Sequence, residues 1–172
     1  MKIFAIVPTA LLGAVLYVAP VAGFDVLGFK TGMTPTEVQV AAPQGYTLIP
    51  FFGADPQSYS FNATIVRGTD VFATVAFCHG RLASVIREID PDIEWPTRLQ
   101  ARLTSSGQPR VSVRAQPWNG PGGGDIVTVV LRWVSGGEAY ELSMNPEGRT
   151  GSTLRYARSA FEEFAMDATC RP

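Results

Sequence analysis

The stretch "SYSFNATIV", residues 58–66, alternates without a break. Tyr59, Phe61, Ala63 and Ile65 fall on one side, and Ser58, Ser60, Asn62 and Thr64 on the other. A period of two is the mark of a half-buried antiparallel strand, apolar toward a core and polar toward water. Strand-like segments fill most of the chain after residue 45, so any fold it adopts must be organised around an antiparallel sheet. In the first half "YTLIPFF" (46–52) carries Pro50, which suits a sheet edge because it lacks a ladder donor. "VFATVAF" (71–77) and "LASVIREI" (82–89) follow, separated by the turn chemistry of "RGTD" (67–70) and of "HGR" around Gly80. In the second half the segments are "RVSVRA" (110–115), "DIVTVVLRWV" (125–134), "EAYELSM" (138–144) and "STLRYAR" (152–158), with a hairpin turn at "SGG" (135–137).

Two stretches interrupt this pattern with helical signals. Thr34 and Glu37 form T-x-x-E, a capping box, and Pro35 falls where a missing N–H costs nothing. A helix is therefore predicted from Thr34 or Pro35. It is stopped by Pro43 and Gly45, and Val38, Ala41 and Ala42 form its inner face. In "EWPTRLQARLTSSG" the residues Trp95, Leu99 and Leu103 recur every four positions. Pro96 is tolerated only in a first turn, so this helix is expected to begin near Glu94 or Trp95 and to end at Gly107. "SAFEEFAMDA" (159–168) reads as a short terminal helix. The expected fold class is thus α+β: two helix-plus-four-strand repeats, residues 24–90 and 91–172, the second closing with that short helix.

The N-terminus carries a different signal. One charge, Lys2, precedes the uncharged run of residues 3–23, which ends in the small residues Val21, Ala22 and Gly23. This is the layout of a secretory signal peptide, with cleavage expected after Gly23. The run is just long enough to span a bilayer, but Pro8 and Pro20 interrupt it and no basic flank follows. Residues 1–23 are read as the signal, and the localisation expected is periplasmic or secreted. No later run approaches spanning length, so no membrane span is expected after signal removal.

Acidic and basic residues nearly balance, 15 against 14, and no run of like charge exceeds two. This gives no footing for nucleic acid as a partner. The two cysteines, Cys78 and Cys170, permit a disulfide in an exported chain. That bridge is the favoured reading, against two unpaired thiols.

Catalytic and metal-binding patterns are sparse. His79, the single histidine, follows Cys78, and adjacent strand residues point to opposite faces, which opposes a Cys–His dyad. No i, i+4 ligand pair and no CxxC suggests a metal, and no cofactor is expected. "EIDPDIE" (88–94) gathers acidic residues between the halves, but it lacks the glycine and spacing of a calcium loop. "NGPGGGD" (119–125) is followed by a strand where a phosphate loop needs a helix.

A family resemblance attaches to two motifs. "LGFKTGMTPTEV" is similar to the G-M-[ST]-x-x-[ED]-V motif of small exported bacterial domains. These are the SmpA/OmlA-type outer-membrane-assembly lipoproteins and the beta-lactamase-inhibitor-protein-like domains. The matching positions are Gly32, Met33, Thr34, Glu37 and Val38. "FCHGRLASVI" resembles their aromatic-x-x-G-[KR]-L hairpin at Phe77, Gly80, Arg81 and Leu82. The resemblance covers residues 27–89. It implies tandem units forming one curved antiparallel sheet with helices on one side, and a binding or assembly role without catalysis. No lipid-attachment cysteine follows the apolar run, and the two cysteines lie too far apart for a bridge within one repeat.

The functional expectation is an exported, periplasmic protein-binding or envelope-assembly accessory module, non-catalytic, with another envelope or secreted protein as partner. The alternatives are a hydrolase using carboxylates of 88–94 and a purely structural accessory. Candidate contact residues are aromatic. Trp118, in a loop rich in Gly and Pro, either folds back over the sheet edge or is held out for a partner. Phe51 and Phe52 precede a turn, and Trp133 and Tyr140 lie on neighbouring strands where they can share a face.

Overall fold

The computed structural model describes residues 23–51, 60–117, 125–146, 148–150, 154–156 and 158–166. The chain opens with a hairpin of two short strands, β1 (Asp25–Val26) and β2 (Phe29–Lys30). Helix α1 (Pro35–Ala41) follows, and then β3 (Thr47–Pro50), β4 (Ser60–Arg67), β5 (Asp70–Cys78) and β6 (Arg81–Ile89). Helix α2 (Glu94–Ser106) leads to β7 (Arg110–Pro117), β8 (Asp125–Ser135) and β9 (Glu138–Asn145). β10 (Gly148–Thr150) and β11 (Leu154–Tyr156) pair only with each other, and β12 (Ser159–Met166) is the last element.

Eight strands form one antiparallel sheet in the order β3-β4-β5-β6-β12-β9-β8-β7. This overturns the expected α+β architecture of two helix-plus-four-strand repeats. The protein is mostly strand, with an eight-stranded sheet, small two-stranded ribbons and two short helices. Two particulars break the repeat. Within the expected strand 152–158, the described residues Leu154–Tyr156 form β11, which pairs with β10 and not with the main sheet. The expected terminal helix is instead β12, hydrogen-bonded to β6 on one side and β9 on the other.

The physical reason lies in the alternation of β12. Ala160, Glu162 and Phe164 turn toward the helices, and Phe161, Glu163 and Ala165 turn away. Glu162 occupies an inward position, so the apolar residues left over mimic a helical stripe. An arginine on β6 makes this inward carboxylate tolerable, as described below.

Both helices cover the same face. α1 begins as expected. The Thr34 hydroxyl accepts from Glu37 N, and Thr34 N donates to the Glu37 carboxylate at 2.7 Å. Val38 is fully buried, with Ala41 and Ala42 packed beside it against Phe61, Ala63, Ile65, Val75 and Phe77. Phe61 and Phe77 face each other across β4 and β5 and stack with centroids 4.7 Å apart. Under α2 a second cluster gathers Ile89, Leu131, Trp133, Tyr140, Leu142 and Ala160, against which Trp95 and Leu99 pack. Burying side chains of this size stabilises by roughly 1.5–3 kcal/mol each.

Turn chemistry sets the registers. His79 and Gly80 join β5 to β6 with φ of 52° and 68°. Two positive φ values are what a type I′ hairpin needs, and its twist matches that of the strands. Gly136 and Gly137 do the same between β8 and β9. Pro50 lies on β3, an outer strand, as its missing donor requires. Among the described residues no helix is long and apolar enough to cross a membrane.

Candidate functional site

The second half of the sheet is clamped to α2 by charge as well as by apolar packing. Glu162 is 1% exposed. Its carboxylate accepts from Arg87 Nε at 2.5 Å and from the Tyr140 hydroxyl at 3.2 Å, and Arg98 Nε lies 3.5 Å away. Arg87 also reaches Glu94 at 3.2 Å, so one guanidinium joins β6, β12 and α2. Burial alone would lower Arg87, but the hydrogen bonds and charges of Glu162 and Glu94 hold it above its ordinary value. Burial pushes the Tyr140 phenol well up, and the Glu162 charge adds to this. Arg102 lies over the Tyr140 ring at 3.9 Å.

This clamp and the turn before it engage Asp90, Asp92 and Glu94, three of the four carboxylates of 88–94; Glu88 is exposed on β6. Asp90 Oδ1 accepts from Asp92 N and Ile93 N at 2.8 and 2.7 Å, an Asx turn that leads into α2. Glu94 accepts from Asp90 N at 3.1 Å, the first cause of a carboxyl held below its ordinary range. Asp92 pairs with Arg158. These groups start a helix and bind arginines; they do not converge on a cavity.

The face turned away from the helices carries a row of charged residues in cross-strand register. Arg110, Arg132, Glu141 and Glu163 are successive partners on β7, β8, β9 and β12. Arg132 donates to Glu141 at 2.7 Å, and the Ser84 hydroxyl donates to Glu163 at 2.9 Å. Burial raises the Glu163 carboxyl above its ordinary range. Ser84 opposes this, Glu141 adds to it, and Arg132 and Arg114 oppose it again.

At the end of this row lies β7, the outer strand. All eight of its residues are exposed. Val111 and Val113, 60% and 66% exposed, lie on the helix side of the sheet but beyond the cover of α2. Arg110, Ser112, Arg114 and Gln116 point the other way. Among the described residues Arg110 and Arg114 make no ion pair. An open depression of about 970 Å³ runs past this strand and the end of α2. Arg102, Arg110, Arg114 and Arg132 line it against Glu138 and Glu141. Its lining draws on both faces of one sheet, so it is an open border around the edge and not an enclosed chamber.

The aromatic candidates are dispersed. Trp133 and Tyr140 do face each other, with centroids 5.8 Å apart. They are buried in the core under α2, however, and the indole N–H of Trp133 donates to Gly107 O at 2.8 Å. Trp133 and Tyr140 are 7% and 6% exposed. Phe51 is half exposed at the end of β3, where its N–H donates to Asn62 O at 2.9 Å. Phe52, Trp118 and Cys170 lie outside the described residues, as does the apolar run through residue 22. Cys78 is buried at the end of β5, and no described cysteine is a free thiol. His79 is exposed on the hairpin turn. Among the described residues no group of three or more His, Cys, Asp or Glu could hold a metal ion.

The residues this geometry singles out, Arg110 and Arg114 with Val111 and Val113, were not among the aromatic candidates. Their signal was present in "PRVSVRAQP", a strict basic-or-polar and apolar alternation closed by Pro109 and Pro117. Prolines at both ends of a strand mark an edge, and arginines along it mark an edge kept from aggregating. No family model, curated protein or solved structure matches this chain.

Proposed function

We propose that this chain is an exported, non-catalytic module that binds another envelope or secreted protein. The observation that carries the reading is β7, an outer strand exposed at every residue, with two exposed valines on one face and, on the other, two arginines that make no ion pair among the described residues. Such an edge offers a row of backbone donors and acceptors, the feature on which strand-addition complexes are built. The signal-like run of residues 1–23 and the resemblance over residues 27–89 support export and a binding role. Three of the four carboxylates on which a hydrolase would draw, Asp90, Asp92 and Glu94, are engaged at the start of α2 or with arginines, and this favours binding over catalysis. A Cys78–Cys170 bridge belongs to the same proposal, as does a mature N-terminus near Phe24.

Residues 24–172, immobilised and exposed to envelope extract, are expected to retain one protein that competes off with soluble domain. Retention of nothing beyond what a denatured control retains would refute the reading. N-terminal sequencing of the chain from an envelope fraction is expected to begin near Phe24; recovery of intact Met1 in the membrane pellet would point to an anchor.

A further inference from the structure

β7 differs from the other outer strand of the sheet. β3 is four residues long and ends at Pro50, so it offers little ladder to a partner. β7 offers eight residues, and its hydrogen-bonded neighbour among the described residues is β8 alone. Its two faces carry different chemistry. Val111, Val113 and Ala115 lie on the helix side, where α2 stops short of them. Arg110 and Arg114 lie on the other, with Arg132 next in the row.

The charge around this strand departs from that of the chain. The whole sequence carries a formal net charge of −1, yet four arginines face two glutamates along the depression beside β7. Arg132 is engaged by Glu141, whereas Arg110 and Arg114 have no ion-pair partner among the described residues. A second copy of this chain added antiparallel along β7 would bring arginines against arginines when centred on Ser112, which like-charge repulsion opposes. An incoming strand with carboxylates on the arginine side and aliphatic residues on the valine side would satisfy both faces at once.

We infer that β7 takes up an extended segment of another protein in which acidic and aliphatic residues alternate, added as a ninth strand to the sheet. This rests on the binding reading above and names the chemistry of its partner. The main-chain ladder supplies attraction without sequence preference, and the alternate side chains supply the selection. Because Arg110 and Arg114 are exposed, their share is screened by salt, so binding weakens as ionic strength rises.

The test uses residues 24–172 and labelled synthetic peptides as long as β7, read by fluorescence anisotropy. An alternating Glu–Val peptide is expected to bind. A peptide of the same composition with its glutamates and valines in separate blocks is expected to bind at least about tenfold more weakly. N-methylation at alternate residues, which removes the donors of one peptide edge, abolishes binding when it falls on the edge facing β7. The double variant Arg110→Glu, Arg114→Glu loses the Glu–Val peptide and gains an alternating Lys–Val peptide, while its melting midpoint stays near that of the parent. Equal binding of block and alternating peptides, or indifference to the charge reversal, overturns the inference. If the reversed variant still retains the protein captured from envelope extract, binding stands and its location on β7 falls. If the parent retains nothing, the binding reading itself falls.

Discussion

Replacing Glu162 by alanine removes a carboxylate that is 1% exposed and bonded to Arg87 at 2.5 Å. Deleting one partner of a buried ion pair costs about 3–5 kcal/mol, because the remaining charge loses its compensation inside the protein. Two features place this case near the lower end. Arg87 keeps Glu94 at 3.2 Å, and its side chain is 17% exposed and so not wholly cut off from water. The expected loss is about 3 kcal/mol, a fall of roughly 10 °C in melting midpoint for a domain of this size. Leucine at both positions, Glu162→Leu with Arg87→Leu, removes the charges together and is expected to recover most of that loss. Urea denaturation followed by tryptophan fluorescence reads the change locally, since Trp95 and Trp133 pack in the same cluster. A loss below about 1 kcal/mol for Glu162→Ala, or a double-leucine variant as unstable as the single alanine, would refute the clamp.

Thr34→Ala should cost about 1 kcal/mol through loss of the cap, measured by denaturant midpoint. The Thr34 N–H holds the Glu37 carboxyl below 4.5, so its stabilisation is present above that value and fades as pH falls through the folded pKa. Glu37→Gln should therefore flatten the acid limb of a melting profile, and an unchanged limb would contradict the capping box. Glu163 carries the opposite sign: burial raises its folded pKa above 4.5, so the stability it adds is present below that value and lost as pH rises through the folded one. Glu163→Gln should melt higher than the parent near neutral pH and match it in acid; a lower midpoint at neutral pH would rule this out. Titration of the unfolded, unreduced protein should find no thiol, and reduction should cost about 2–5 kcal/mol. Detection of two thiols would remove the bridge.

Legibility followed how local each feature is. The start of α1 was readable because Thr34, Pro35 and Glu37 act within one turn. The strands from β4 to β9 were readable because alternation and turn glycines are local too. β12 was not, since its inward Glu162 makes sense only beside Arg87, which lies 75 residues earlier. Without that partner, Phe161, Phe164 and Ala165 suggest a helix stripe. Two of the aromatics sought for a site, Trp133 and Tyr140, are buried for a related reason. Trp133 and Tyr140 share a face, but only the position of α2 decides that the face is inside. The arginines of β7 were visible as residues, and their lack of ion pairs among the described residues was not, because it depends on what each cross-strand row brings together.

The place of β12 between β6 and β9 also sets an order of events. A chain emerging N-terminus first forms the hairpins β4-β5-β6 and β7-β8-β9 from near neighbours, fast and early. Neither half can join the other until residues 159–166 arrive, because β6 and β9 meet only through them. Until then each half has an interior edge bare along its length, prone to pairing with other chains. The joining step closes loops of high contact order and is the slow one. A chain delayed in this way remains unfinished for as long as its end is held back, a state that threading through a narrow channel would require.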